Sequence, residues 1–203
     1  MSVEPGSMLF EGYKSYLQKK PLQDEDIRQL KDQLSKAIEE LITCGIYELS
    51  TEKQQEYLKA ASYGKAFLHK DSMNPNCLYD VAKYLKIKWN MNMKLGRAIT
   101  YDQIYKMRPK NLIDILVNSK EHFLAIESAK ILKMPVDTFS YIFINWANSK
   151  IEMKRMNQIE LAELIHKKFE ELQVQGLKLT EIALTDIAHV AARKDMKDLA
   201  KKL

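Results

Sequence analysis

A chain of 203 residues, 46% hydrophobic and 29% charged, is long enough to bury roughly 70% of its extended surface and too apolar to stay disordered. Six glycines and five prolines are too few for the many turns of a sandwich or barrel, so helices joined by short loops are expected. The formal charge of +5 comes from lysines scattered among acids, which reads as a solvated surface rather than a block that grips an acidic partner.

Residues 1–20 read as a leader, and the helical pattern begins at Pro21. Ile27, Leu30, Leu34, Ile38 and Leu41 form one apolar stripe. Asp24, Glu25 and Asp26 crowd the first turn, where the helix dipole favours negative charge, and Gly45 is the expected stop. Ser50 and Thr51 offer caps for the next helix, which extends to about Leu68. Within it, residues 57–68 read YLKAASYGKAFL. Gly inside a helix costs about 1 kcal/mol relative to Ala. Ala60 and Gly64 stand at i and i+4, so the spacing predicts a place where a neighbouring helix comes close and dispersion contacts offset that cost.

Asn74 and Pro75 start a helix with Leu78, Val81, Leu85 and Trp89 on one face, broken at Gly96. A short segment over Tyr101–Met107 follows, and Pro109 opens a helix carrying Leu112, Ile115 and Leu116 that gives way near Asn118–Glu121. Ala125, Ala129 and Leu132 define the next. Pro135 separates it from Val136, Phe139, Phe143 and Trp146. Asn157 caps a helix carrying Leu161, Ile165, Phe169 and Leu172, ended by Gly176. Leu184, Ile187 and Ala191 continue the theme, and Asp195 opens a last helix.

The pattern amounts to roughly nine helices without a credible strand or a strict repeat. The fold class expected is all-α, an irregular α-solenoid of stacked antiparallel helix pairs, with residues 21–203 as a single domain.

Chemistry is sparse. His69, His122, His166 and His189 have no metal-ligand spacing and read as structural or surface groups, so no metal and no cofactor are expected. Cys44 and Cys77 make no CxxC pair. They read as small buried hydrophobes in a reducing, cytosolic compartment, and no thiolate-activating cation is adjacent in sequence. Ser62 lies in no nucleophile elbow. Lys19-Lys20, Lys167-Lys168 and Lys201-Lys202 lack the interleaved exposed aromatics that base stacking needs, so nucleic acid is a minor alternative. No apolar run reaches the ~18 residues of a membrane span. The chain reads as non-enzymatic.

Four stretches in order carry a resemblance: YLKAASYGKAFL, GRAITYDQIYKMRPKNLIDILVNSKEHFLAIESAKILKMP from Gly96 to Pro135, FINWANSKI at 143–151, and LTDIAHVAARKDMKDLAKKL at 184–203. Together they resemble the C-terminal domain of the vacuolar protein sorting sixteen family, over about residues 55–203 and more loosely over the helix before them. The resemblance implies an α-solenoid in a core subunit of the HOPS and CORVET tethering complexes. It further implies that the domain docks an SM-type SNARE chaperone, the vacuolar protein sorting thirty-three subunit, beside other HOPS/CORVET subunits. Membrane association would then be indirect, on late endosome, lysosome or vacuole membranes. Members of that family carry an upstream β-propeller and a longer C-terminal solenoid, so the chain is expected to be a fragment. A related trafficking adaptor that shares this domain and pairs with a different SM-type protein is the other implied reading. Ala183 stands where the family usually carries serine, and Thr180 is expected to cap a longer helix instead.

The family interface directs attention to residues 136–203. Trp146 and Ala147 are adjacent, about 100° apart on one helix. With Trp146 anchored in the core, Ala147 is expected to offer a flat, partner-facing surface, with Lys150 and Arg193 on a polar rim. The competing reading is that Ala147 only spaces two helices.

Overall fold

The computed structural model describes residues 4–19, 29–30, 32–68, 74, 76–96, 98–153, 156–177, 179–180 and 182–203. Among them are eleven helices and no strand, so the all-α expectation holds. They fall into two compact units, residues 1–88 and 89–203, where a single domain from residue 21 was expected.

In the first unit, part of the expected leader is a helix. α1 (Pro5–Leu17) starts with Pro at its first position, where a missing N–H costs nothing. Its Gly6 N–H donates to Glu40 Oε2 at 2.7 Å. A carboxylate from another helix thus satisfies one of the four donors that a helix start leaves open and complements its dipole. Glu40 belongs to α2 (Leu34–Tyr47), and α3 (Thr51–Lys65) packs on both α1 and α2. Leu30, Leu34, Ile38 and Leu41 are buried as the stripe predicts. Ile27 and the acidic run before it lie outside the described residues.

Gly45 does not end α2, which continues to Tyr47. A Cβ there would meet Leu58 Cδ2 at 3.3 Å, and Gln54 Nε2 donates to the Gly45 carbonyl at 2.8 Å. The missing side chain lets α3 approach. Ser50 does cap α3, its Oγ accepting from Lys53 N–H at 3.4 Å. The helix ends at Lys65, three residues before the expected Leu68.

The small residues of 57–68 work as their spacing predicts. Ala60 and Ala61 are fully buried, and a Cβ on Gly64 would stand 2.6 Å from Leu9 Cδ2 and 3.1 Å from Ile38 Cγ1. Both α1 and α2 therefore close on the same point of α3.

The division between the units falls inside α4 (Cys77–Leu95). Asn74 Oδ1 accepts from Asn76 N–H just before it, whereas Pro75 lies outside the described residues. Val81, Leu85, Ile87 and Met91 are buried, but Trp89 is 48% exposed and does not extend the stripe.

In the second unit, Gly96 takes φ +61° and ends α4. The Asn92 amide then bonds both backbone groups of Ile99, at 2.8 and 3.1 Å. α5 (Tyr101–Lys106) begins with a capping box between Thr100 and Gln103. α6 (Pro109–Asn118), α7 (His122–Ile131), α8 (Val136–Met153), α9 (Gln158–Val174), α10 (Ile182–Arg193) and α11 (Lys197–Lys202) follow. α6 packs on α7 and α8, α7 on α8, and α8 on both α9 and α10, while α11 packs on α9 and α10. Asn157 caps α9 as expected, and Phe139, Phe143, Leu161, Ile165, Phe169 and Leu172 are buried.

Four helices of this unit end in the same way. After α9, Gly176 is left-handed, Gly176 N–H donates to the Gln173 carbonyl, and Leu177 N–H reaches back to Leu172. This is the paired-bond stop that leaves the last carbonyls satisfied. α6, α7 and α10 make the same two bonds, but Lys120, Lys133 and Asp195 occupy the left-handed position, at φ 63°, 53° and 59°. Asp195 therefore closes α10 rather than opening α11. Thr180 does not present its hydroxyl as the expected cap: it lies 3.3 Å from Ser140 Oγ, joining the start of α10 to α8.

Candidate partner-binding face

α8 places the predicted site residues. Its buried side is Phe139, Ile142, Phe143, Ala147 and Ile151. Trp146 is half-buried and stacks on Phe143 with ring centroids 5.7 Å apart and planes at 24°. Phe143 meets Phe169 of α9, also at 5.7 Å. Trp146 is thus held against the buried Phe143 without being in the core itself.

Ala147 differs from its expectation. It is fully buried and offers no surface atom. Positions 143, 147 and 151 share one face of the helix by i, i+4 spacing, and a methyl group at 147 keeps α8 close to its neighbours.

Lys150 is half-buried one turn along from Trp146. Arg193 is exposed at the last position of α10. The helix that carries it packs on α8, and Lys194 Nζ reaches Glu152 Oε1 at 3.1 Å. The structure therefore gathers Trp146 and Lys150 on one helix, with Arg193 on an adjacent one.

Beside Trp146 lies a feature that sequence reasoning missed, a cavity of about 260 Å3 between α7, α8 and α9. His122, Phe123, Phe143, Trp146, Lys168 and Leu172 line it. His122 is 8% exposed at the first position of α7. Burial lowers its pKa. The Lys120 carbonyl, which accepts its N–H, opposes the shift, and the Lys150 ammonium adds to it. Burial thus favours the uncharged imidazole over the imidazolium. Phe123 is 75% exposed at the lip. It sits about 200° around the helix from Ala125, off the buried stripe, and that displacement was the one signal of it in the sequence.

The remaining chemistry is thin. No group of three or more His, Cys, Asp or Glu side chains among the described residues is placed to hold a metal ion. His166 bonds the Lys202 carbonyl at 2.8 Å, and His69 lies outside the described residues. Cys44 is exposed rather than buried. Partial burial and the carboxylates of Glu4 and Glu40 push its thiol up, away from the thiolate that nucleophilic chemistry requires. No described helix is long and apolar enough to cross a membrane.

Comparison with known proteins gives this helical chain its relatives. Over nearly its whole length it is similar to Vps16 proteins. It is 30% identical over 196 residues to the vacuolar protein sorting-associated protein 16 homolog of Drosophila melanogaster, covering 96% of this chain and 23% of that protein. The Dictyostelium discoideum homolog is likewise 30% identical over 196 residues, with 96% of this chain and 22% of that protein covered. Vacuolar protein sorting-associated protein 16 of Saccharomyces cerevisiae is 27% identical, with 95% and 24% covered. The chain thus spans less than a quarter of the length of these relatives.

The family description that matches is the Vps16 N-terminal region, over residues 1–78. That span holds α1 to α3 and reaches into the start of α4, whereas the sequence resemblance assigned residues 55–203 to the C-terminal domain. The two assignments overlap over residues 55–78.

Proposed function

We propose that the chain is a non-enzymatic segment of a Vps16-type tethering subunit, a scaffold in a HOPS/CORVET-type complex that docks an SM-type SNARE chaperone. The observation that carries this reading is the likeness to Vps16 proteins across 95–96% of the chain. The segment straddles a junction. Residues 1–78 close the N-terminal region, and the second unit begins the C-terminal domain, in which helix pairs stack as an α-solenoid. Such a fold presents successive helices as an extended docking surface. Its membrane association is indirect, on late endosomes, lysosomes or vacuoles, through the partners it holds.

Within the second unit, Trp146, Lys150 and Arg193 supply partner-facing side chains, and Ala147 seats α8 beneath them. Tryptophan and arginine are enriched among the residues that carry interface binding energy, and rim charges steer the approach of a partner. A pull-down of the purified chain against a panel of SM-type proteins tests the reading. Retention of the vacuolar protein sorting thirty-three type supports it. Retention of a different SM-type protein indicates the related adaptor, and retention of none overturns it. Trp146→Ala and Lys150→Glu are expected to keep the helical spectrum and weaken capture.

A further inference from the structure

The cavity beside Trp146 has a size and a lining that select a ligand. An engineered apolar cavity of about 150 Å3 binds benzene, so about 260 Å3 accommodates one aromatic ring with the first atoms of the chain that bears it. Phe143, 1% exposed, forms the floor, Trp146 stacks on it, and Phe123 stands 75% exposed at the lip. An incoming ring finds both faces and edges to pack against, in the offset or edge-to-face arrangements that aromatic pairs favour.

The charges around the mouth add a second requirement. Glu127 is paired with Lys130 at 3.1 Å, and Lys168 with Glu171 at 2.9 Å. Lys150 lies one turn from Trp146, and its ammonium acts on His122 in the cavity wall. Among the described residues, no carboxylate stands within 4.0 Å of the Lys150 ammonium. Lys150 does not line the cavity, but it stands one turn along α8 from Trp146, which does. A carboxylate beside the incoming ring would find that charge, whereas Glu127 in the cavity lining disfavours a phosphate.

We propose that this cavity receives an aromatic side chain of a partner polypeptide, with an adjacent carboxylate of the same segment meeting Lys150. The inference deepens the docking role proposed above and rests on it only for the identity of the protein that owns the segment.

Capped dipeptides test it without any partner, so failure here is distinguishable from failure of the pull-down. Trp146 is one of two tryptophans, and its indole N–H signal in a 15N NMR spectrum of the whole chain is assigned by its loss in Trp146→Phe. Acetyl-Asp-Phe-amide is expected to shift that signal saturably. Acetyl-Asn-Phe-amide should bind about fivefold more weakly, the equivalent of about 1 kcal/mol for one solvent-accessible ion pair. Acetyl-Asp-Ala-amide should not shift it. Lys150→Gln should abolish the difference between the first two, and Phe123→Ala, at an exposed position, should weaken both. No saturable shift, an equal response to the Ala peptide, or equal affinity for the Asp and Asn peptides would overturn the proposal.

Discussion

Leu9 and Gly64 meet where α1 crosses α3: a Cβ on Gly64 would stand 2.6 Å from Leu9 Cδ2, closer than real carbon atoms approach. Leu9 is fully buried and Ile38 closes the other side, so neither can swing aside into solvent. Gly64→Ala gains about 1 kcal/mol of helix propensity and incurs about 1–3 kcal/mol of overpacking. The net expected is a loss of about 1 kcal/mol, read as a lower urea midpoint. In a Leu9→Ala background the clash is gone and Gly64→Ala should become stabilising. Additive effects in the double variant would refute the contact.

The three non-glycine helix stops give the opposite sign. A left-handed residue with a Cβ costs about 1–2 kcal/mol, and glycine returns about 0.5–1 kcal/mol of that in unfolded-chain entropy. Lys120→Gly, Lys133→Gly and Asp195→Gly should each stabilise by about 0.5–1 kcal/mol, visible as a raised urea midpoint with an unchanged slope. Gly176→Ala should destabilise by a similar amount.

Ala147→Asp places a carboxylate at a fully buried position. Burying an unpaired charge costs several kcal/mol unless the group takes up a proton. The variant should lose helical signal or melt well below the parent. A folded variant with parental melting would show that position 147 faces solvent.

His122 supplies a pH dependence. Burial lowers its pKa, with the Lys150 and Lys120 ammonium groups adding to the shift and the Lys120 carbonyl and Glu121 opposing it. The unfolded chain therefore binds a proton more readily than the folded one. Stability from this group is fully present above the unfolded pKa of about 6.5 and is lost as pH falls towards the folded value. Between about pH 7.5 and about pH 5.5 the parent should lose more stability than His122→Gln does. Equal slopes in urea titrations would exclude the histidine as the cause.

Local signals were legible where a residue acts within its own helix. Ser50, Pro109, Asn157 and Gly176 punctuate the chain as expected. Signals that depend on a second helix were not. Gly45 resembles a stop in one dimension and is a contact with Leu58 in three. Asp195 has the composition of a cap, but the backbone bonds of the preceding helix claim it. Ala147 was ambiguous for the same reason, because a small residue suits a bare surface and a tight helix crossing equally well.

The amino-acid order by itself determined that the chain is helical and roughly where most of its helices begin and end, since periodicity and caps operate over three or four residues. Only tertiary structure decided that residues 5–17 join the first unit, that Ala147 lies inside the second, and that His122 and Phe123 meet Trp146 around a cavity. Burial and cavity shape are properties of surfaces brought together from distant parts of the chain, and no short-range pattern encodes which surfaces meet.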